Sequence, residues 1–486
     1  VLVNLVYEKL LNAMSQELKR NALSIIDTVT LAVAGTAPSY SLNATTAALV
    51  AAVGIASPAA LLCGALPMFG IAFAFKQLNQ WRADAGTAYA WVGRSLNPSL
   101  GFLCAWVFLV LSTAFMVTAA LPVGVTTLNL IAPQLQDNLA AATLVGGAWF
   151  VAVATLTILG VHVAASVQRI MTLIEVVALL ALAIGAFVKF SENPVLPFSW
   201  QWFSPTAFGN FQTFVAGLLV SMFYYFGWDV SANVAEETAG ANTAPGLSGV
   251  LGMIGIFLLF LLLQIATQMS LSPEIIEKNS AALLPALGDA IFPRPWGTIA
   301  VLAVIVSTVG TIETQLTQCA RTLFSMGRDQ VVHEKFAEIH PRFQTPWFAS
   351  LVITVLALFL LILSSASESI SSVMQSLISA IGVMVSFYYG MSGLACAWYY
   401  RKTLGRSLST LLLQGIWPVF SALTLFAVAL LQLPQLGLQV SSLTIGAMAV
   451  GVLPMWFFRR RYWSSFYTAP AEYHELAPVR EKVGLR

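Results

Sequence analysis

The chain has 486 residues, of which 58% are hydrophobic and 9% charged, with a formal net charge of +2 and a mean hydropathy of +0.81. Soluble domains carry about 25% charged residues, so water cannot be the solvent for most of this surface. The net charge by itself says little about partners; with no Gly-rich phosphate loop in the sequence, a lipid bilayer rather than a nucleic acid is the expected partner.

A membrane-spanning helix needs about 20 mostly apolar residues. Long apolar runs predict twelve spans, at 25–54, 57–77, 99–121, 139–160, 168–190, 208–235, 246–270, 297–322, 347–364, 372–398, 409–432 and 440–458. The expected fold class is therefore an all-α polytopic membrane protein. Its expected segments are a cytoplasmic N-terminal stretch (1–24), five spans over 25–190, five more over 208–398, a final pair over 409–458 and a cytoplasmic tail (459–486). With the N-terminus placed inside, only Lys189, Lys278 and Arg294 of the 23 basic residues fall outside. That asymmetry supports an even number of spans and cytoplasmic termini, as expected of a cell-membrane protein. No cleavable leader is read at the N-terminus. Residues 78–98 are amphipathic and predict an interfacial element on the cytoplasmic side, and 323–346 form the longest polar connection.

Span 1 contains AVAGTAPSYSLNATT, residues 32–46. Pro38 removes a backbone donor and clashes with the carbonyl of Ala34, while Gly35 lowers the cost of irregular backbone. Unpaired backbone in lipid costs several kcal/mol per group and survives only against protein or a polar cavity. A helix restarting at Pro38 would leave the N–H groups of Ser39, Tyr40 and Ser41 aimed, with the positive end of the helix dipole, at an anion. The candidate substrate-binding residues here are Gly35, Thr36, Ala37, Pro38, Ser39 and Tyr40.

Span 6 contains SMFYYFGWDVSANVAEET, residues 221–238. Gly227, followed by Trp228 and Asp229, interrupts an apolar helix. A carboxylate at mid-bilayer costs about 2.5–3.5 kcal/mol on insertion scales, so Asp229 is expected to face a polar interior. Tyr224, Tyr225, Phe226, Gly227, Trp228 and Asp229 complete the candidate substrate site. The two breaks lie five spans apart, and interrupted helices in corresponding halves point to an inverted-repeat transporter.

Two further acids lie inside spans. Glu175 follows Arg169 by six residues, or about 9 Å of helix; Glu313 precedes Arg321 by eight, or about 12 Å; Asp229 precedes Glu236 by seven, or about 10 Å. The three are expected to share one layer in the inner half of the bilayer, with Glu175 and Glu313 serving ion or proton coupling. Asp27, Glu236 and Glu237, at span ends, are expected to be gate or structural residues.

Cys63, Cys104, Cys319 and Cys396 lie in apolar runs with no CxxC pair, and the four histidines are scattered. Neither a zinc site nor a disulfide framework is expected, and no cofactor beyond a coupling H+ or Na+. The same scatter argues against a membrane enzyme. No repeated filter sequence suggests a channel, and no soluble output domain suggests a receptor.

Four segments together resemble the amino acid–polyamine–organocation permeases. They are DAGTAYAWVGRSLNPSLGFLCAW (84–106), GVHVAASVQRIMTLIEVVALL (160–180), FGWDVSANVAEET (226–238) and CARTLFSMGRDQVVHEKFAEIHPRFQTPW (319–347). The resemblance covers about residues 20–400. It implies a five-plus-five inverted repeat with spans 1 and 6 unwound around the substrate, two extra C-terminal helices, and alternating access driven by proton, sodium or exchange. It places the carboxylate cradle on Gly35 to Ser39, the aromatic gate and amine-accepting carbonyls on Tyr224 to Gly227, and the coupling region near Ala34, Glu175, Thr308 and Thr311. The expected solute is an amino acid, or a polyamine or other small organic amine. The sequence departs from the family pattern in two places. Thr36-Ala37-Pro38-Ser39 stands where the family carries Gly-Ser-Gly, and Glu175 stands where many proton-coupled members carry a Lys.

Overall fold

The structure, a computed structural model of the chain, describes residues 17–279, 282–293, 295–366 and 370–468. Arg294, one of the three basic residues assigned outside, and the ends 1–16 and 469–486 lie beyond the described residues. Apart from a single bridge between Leu23 and Thr238, the described residues form helices and connections. In lipid this is the expected outcome, because a helix satisfies its own backbone.

Span 1 is two helices, α1 (Ile25–Gly35) and α2 (Pro38–Val53). Ser24 caps α1 in a reciprocal box with Asp27, which pairs two otherwise orphaned donors. Spans 2 to 5 are α3 (Ser57–Trp81), α5 (Pro98–Ile131), α6 (Leu139–Ile158) and α7 (Val161–Lys189), with the short α4 (Ala88–Ser95) between α3 and α5. Span 6 is again divided, into α8 (Phe211–Tyr224) and α9 (Val230–Asn233). Then follow α10 (Ala244–Ser270), the short α11 (Pro273–Lys278) and α12 (Leu283–Ile291), α13 (Ile299–Arg328), α14 (Trp347–Ser364) and α15 (Ile370–Tyr400). The last two crossings are α16 (Trp417–Gln432), preceded by a π-helical turn at Leu411–Ile416, and the pair α17 (Gly437–Val450) and α18 (Val452–Arg461).

Nine apolar helical stretches among the described residues are long enough to cross a bilayer. Two of these, Ile25–Trp81 and Leu408–Arg461, run to 57 and 54 residues and hold two crossings each, and Phe211–Tyr224 is a shorter apolar helix. The chain is a multi-pass membrane protein of about twelve helices. Leu144, Leu173, Ile184, Phe359 and Leu430 are exposed on its periphery, as side chains facing acyl chains must be.

In the 78–98 segment, Ala88, Tyr89, Ala90, Trp91 and Val92 of α4 are buried against the bundle. The Trp91 indole there donates to the Arg82 carbonyl at 2.8 Å and meets Phe75 edge-on at 5.1 Å. Span 5 starts seven residues earlier than expected, because Gly160, at φ +132°, ends the turn from α6. Span 8 runs six residues further, to Arg328, because its last polar residues find partners within the protein. Every residue of α13 from 310 to 327 is buried, which makes it the central helix of the bundle.

Candidate functional site

At the first break, Ala37 adopts a left-handed conformation, φ +48°, because Pro38 cannot continue the hydrogen-bond ladder. The Thr36 hydroxyl donates back to the Val33 carbonyl at 2.7 Å, and the Ser41 hydroxyl donates to the Thr36 carbonyl at 2.7 Å. Polar side chains thus take up part of what the helix gives up. At the second break Gly227 has φ +104°, a conformation open to glycine and costly for other residues.

The two breaks meet. A Cβ on Gly35 would fall into the carbonyl oxygen of Gly227, and a Cβ on Gly227 into that of Gly35. Residues 34–43 and 221–235 are all buried, so the junction is closed to solvent on both sides.

The N–H groups that start α2 do not stay free for an external anion. Ser39 N–H donates to Glu175 Oε1 at 2.7 Å, Tyr40 N–H donates to Ser307 Oγ at 3.2 Å, and Ser41 N–H returns to the Ala37 carbonyl at 2.7 Å. Glu175, on α7, is itself the carboxyl group at this helix N-terminus, and the Ser307 side chain lies beside it. The physical reason is proximity: a carboxyl group fixed within the protein reaches the positive end of α2 without an association cost. One turn along α13, the Thr311 hydroxyl donates to the Ala34 carbonyl at 3.1 Å. Thr308 turns to its own helix, donating to Val304. Ala34, Ser39, Glu175, Ser307 and Thr311 therefore form one buried polar knot joining α1, α2, α7 and α13.

Asp229 lies elsewhere. Its Oδ1 accepts from the Tyr389 hydroxyl at 2.8 Å and its Oδ2 from the Tyr388 hydroxyl at 3.0 Å. Trp228 stacks on Tyr389 at 5.6 Å and meets Phe75 edge-on at 5.2 Å. A carboxylate held by two phenols amid aromatic faces satisfies the rule that a buried charge must be hydrogen-bonded. Glu313 stands apart from both, accepting from Thr317 at 3.0 Å on its own helix. The three acids thus have three separate sets of partners, and among the described residues no three His, Cys, Asp or Glu side chains converge on a metal-sized site.

The aromatic run of span 6 also divides. Tyr224 hydrogen-bonds Thr46 at 2.7 Å, and Tyr225 donates to the Leu61 carbonyl at 3.1 Å. Both phenols face neighbouring helices away from the break. Phe226 instead reaches Phe115, at 5.4 Å, and Phe115 meets Tyr40 at 5.9 Å.

At the end of span 6, Glu237 and Arg321 form a two-pronged buried ion pair, Nε to Oε2 at 2.6 Å and Nη2 to Oε1 at 3.1 Å. Glu236 engages Arg328 in the same manner at 2.7 and 2.9 Å, and its Oε1 accepts from the Ala85 backbone. Asp84 accepts from Ser325 at 2.7 Å, Gly86 N–H at 2.9 Å and Arg82 at 3.2 Å. Its carboxyl is buried, which opposes ionisation, yet Arg328, Ser325, Arg82 and the Gly86 N–H together hold it below the usual carboxylate range. Asp27 pairs with Arg169 at 3.0 Å. The segment just before α1 is tied in as well: Leu23 N–H donates to the Glu237 carbonyl at 3.0 Å, and Ala239 N–H to the Leu23 carbonyl at 2.9 Å.

Sequence reasoning missed Ser307, Tyr388 and Tyr389. Their signal was present as polar residues recurring at three- and four-residue intervals along span 8, and as paired tyrosines in span 10.

The model of the amino acid permease family matches residues 23–454. The b(0,+)-type amino acid transporter 1 of Mus musculus is 21% identical over 381 residues, covering 76% of this chain and 74% of that transporter. The serine/threonine exchanger SteT of Bacillus subtilis is 21% identical over 329 residues, 67% of this chain and 72% of the exchanger. The branched-chain amino acid permease BcaP of the same organism is 25% identical over 202 residues, 41% of each chain.

Proposed function

Because the chain belongs to the amino acid permease family, we propose that it is a secondary transporter that carries an amino acid across a cell membrane by alternating access. The observation that carries this reading is the contact between the Gly35 and Gly227 backbones. Two helices give up hydrogen bonds at the same buried spot, a cost that membrane proteins accept where a solute or ion docks. In this reading Gly35 to Tyr40 and Phe226 to Asp229 line the docking site, and spans 1–5 and 6–10 are the two inverted repeats. The basic residues favour cytoplasmic termini. The Arg321–Glu237 and Arg328–Glu236 pairs would then close the cytoplasmic side, and must part for the solute to leave.

Glu175 is the candidate coupling group. Its place against the start of α2 means that binding or losing a cation there alters the charge holding the break together, which supports a role in linking ion and solute. The names of the relatives, which cover broad-range, serine/threonine and branched-chain amino acids, support an amino acid as the cargo without fixing which one.

A second reading, transport of a polyamine or small organic amine, is favoured by Asp229 among Trp228, Tyr388 and Tyr389, since cations bind aromatic faces near a carboxylate. Uptake into proteoliposomes of the twenty amino acids and of putrescine, at varied pH and sodium, tests both. Accumulation of an amino acid against its gradient supports the first reading. Accumulation of the amine alone replaces it with the second, and ion conductance without accumulation replaces both with a channel.

A further inference from the structure

We infer that Gln315 reads the side chain of the solute and selects amino acids bearing a neutral hydroxyl or amide group. The inference rests on the amino acid transport reading above and names the substrate class within it.

The polar residues Ser307, Thr311, Gln315, Gln318, Thr322 and Ser325 recur along α13 at intervals of four, four, three, four and three. That spacing places them on one face of a helix. Five of the six are joined to residues of other elements. Ser307 accepts the Tyr40 N–H at 3.2 Å and Thr311 donates to the Ala34 carbonyl at 3.1 Å. Gln318 Nε2 donates to Asn233 Oδ1 at 3.1 Å, Thr322 accepts from Asn233 at 3.4 Å, and Ser325 donates to Asp84 at 2.7 Å. Gln315 sits between Thr311, which holds the span 1 break, and Gln318, which holds the segment after the span 6 break. It is fully buried, and neither its amide oxygen nor its amide nitrogen has a hydrogen-bond partner.

Buried side-chain amides are almost always paired, and leaving both ends of one unpaired costs more than an apolar residue of the same size. A solute at the Gly35–Gly227 junction would supply the missing partners. Cys319, one turn along the helix from Gln315, lies beside Ser112 of α5. The face carrying Gln315 therefore turns towards the junction of spans 1, 3 and 6. A primary amide offers one donor end and one acceptor end. A hydroxyl or an amide on the solute uses both, a carboxylate uses only the donor, an ammonium uses only the acceptor, and an alkyl chain uses neither.

The test is uptake of near-isosteric pairs, threonine against valine and asparagine against leucine, by the full chain in proteoliposomes. The wild type is expected to favour threonine and asparagine by about tenfold or more in kcat/KM, the scale set by one unpaired buried group. Gln315→Leu is expected to bring both ratios close to one through loss of the polar member. Ratios that start at one or below, or that stay unchanged in Q315L, overturn the inference while leaving amino acid transport in place. A wild type that carries none of the four overturns the inference, and uptake of none of the twenty amino acids overturns the transport reading as well. If Q315L is not recovered as a monodisperse protein, Gln315→Met takes its place, and a wild-type ratio of one is decisive without either variant.

Discussion

The backbone of Gly35 and the backbone of Gly227 touch, each carbonyl occupying the space a Cβ on the other residue would need. Two residues 192 positions apart in the chain thus fix where the two interrupted helices cross. The contact leaves no room for a Cβ on either residue.

Gly227→Ala is expected to fail on two counts, a Cβ driven into the Gly35 carbonyl and a φ of +104°. The backbone conformation alone costs about 1–3 kcal/mol in an L-residue. A lowered melting temperature and abolished uptake are expected, with Gly35→Ala behaving alike. Wild-type melting and uptake in either variant would show that the breaks do not meet as described.

Glu175→Gln retains an oxygen to accept the Ser39 N–H and is expected to fold. Glu175→Ala leaves that N–H unpaired, at a cost of about 1–3 kcal/mol. If Glu175 carries the coupled ion, E175Q loses the dependence of accumulation on pH or sodium while still exchanging solute across the membrane. Unchanged ion dependence in E175Q would remove Glu175 from coupling.

Breaking the Arg321–Glu237 pair from one side leaves a buried charge alone. Glu237→Gln or Arg321→Met is expected to destabilise by about 3–5 kcal/mol, read by thermal or denaturant unfolding. The double variant E237L/R321M, with neither charge present, is expected to recover most of that stability. It should nonetheless show altered uptake if the pair has to open and close in transport. A double variant no better than the worse single one would contradict the ion-pair account.

Asp84 gives a pH dependence. Its carboxyl is held below its unfolded-state value, so the stability it contributes is complete above the unfolded pKa, about 3.9. That stability is lost as the pH falls below this value, through the folded pKa. Wild-type melting temperature is therefore expected to drop below about pH 4, and Asp84→Asn to flatten that part of the profile while lowering stability at neutral pH. Parallel profiles for the two proteins would assign the acid sensitivity to other carboxyls.

The crossings were legible in the sequence because hydrophobic length and breaker chemistry are local properties. Pro38 and Gly227 mark the interruptions whatever surrounds them, and twelve apolar runs mark about twelve helices. Partnership was not legible. The spacing of Glu175 from Arg169 and of Glu313 from Arg321 suggested a shared depth, but not that Glu175 would meet Ser39 or that Asp229 would meet Tyr388 and Tyr389. Likewise, a reading of N–H groups as free for a ligand could not anticipate that a carboxylate from span 5 would reach them first. Depth follows from counting residues along one helix. Which donor meets which acceptor depends on how several helices rotate and pack about α13, and only the tertiary structure decides that, because hydrogen bonds form within about 3 Å between residues whose separation in the chain carries no such information.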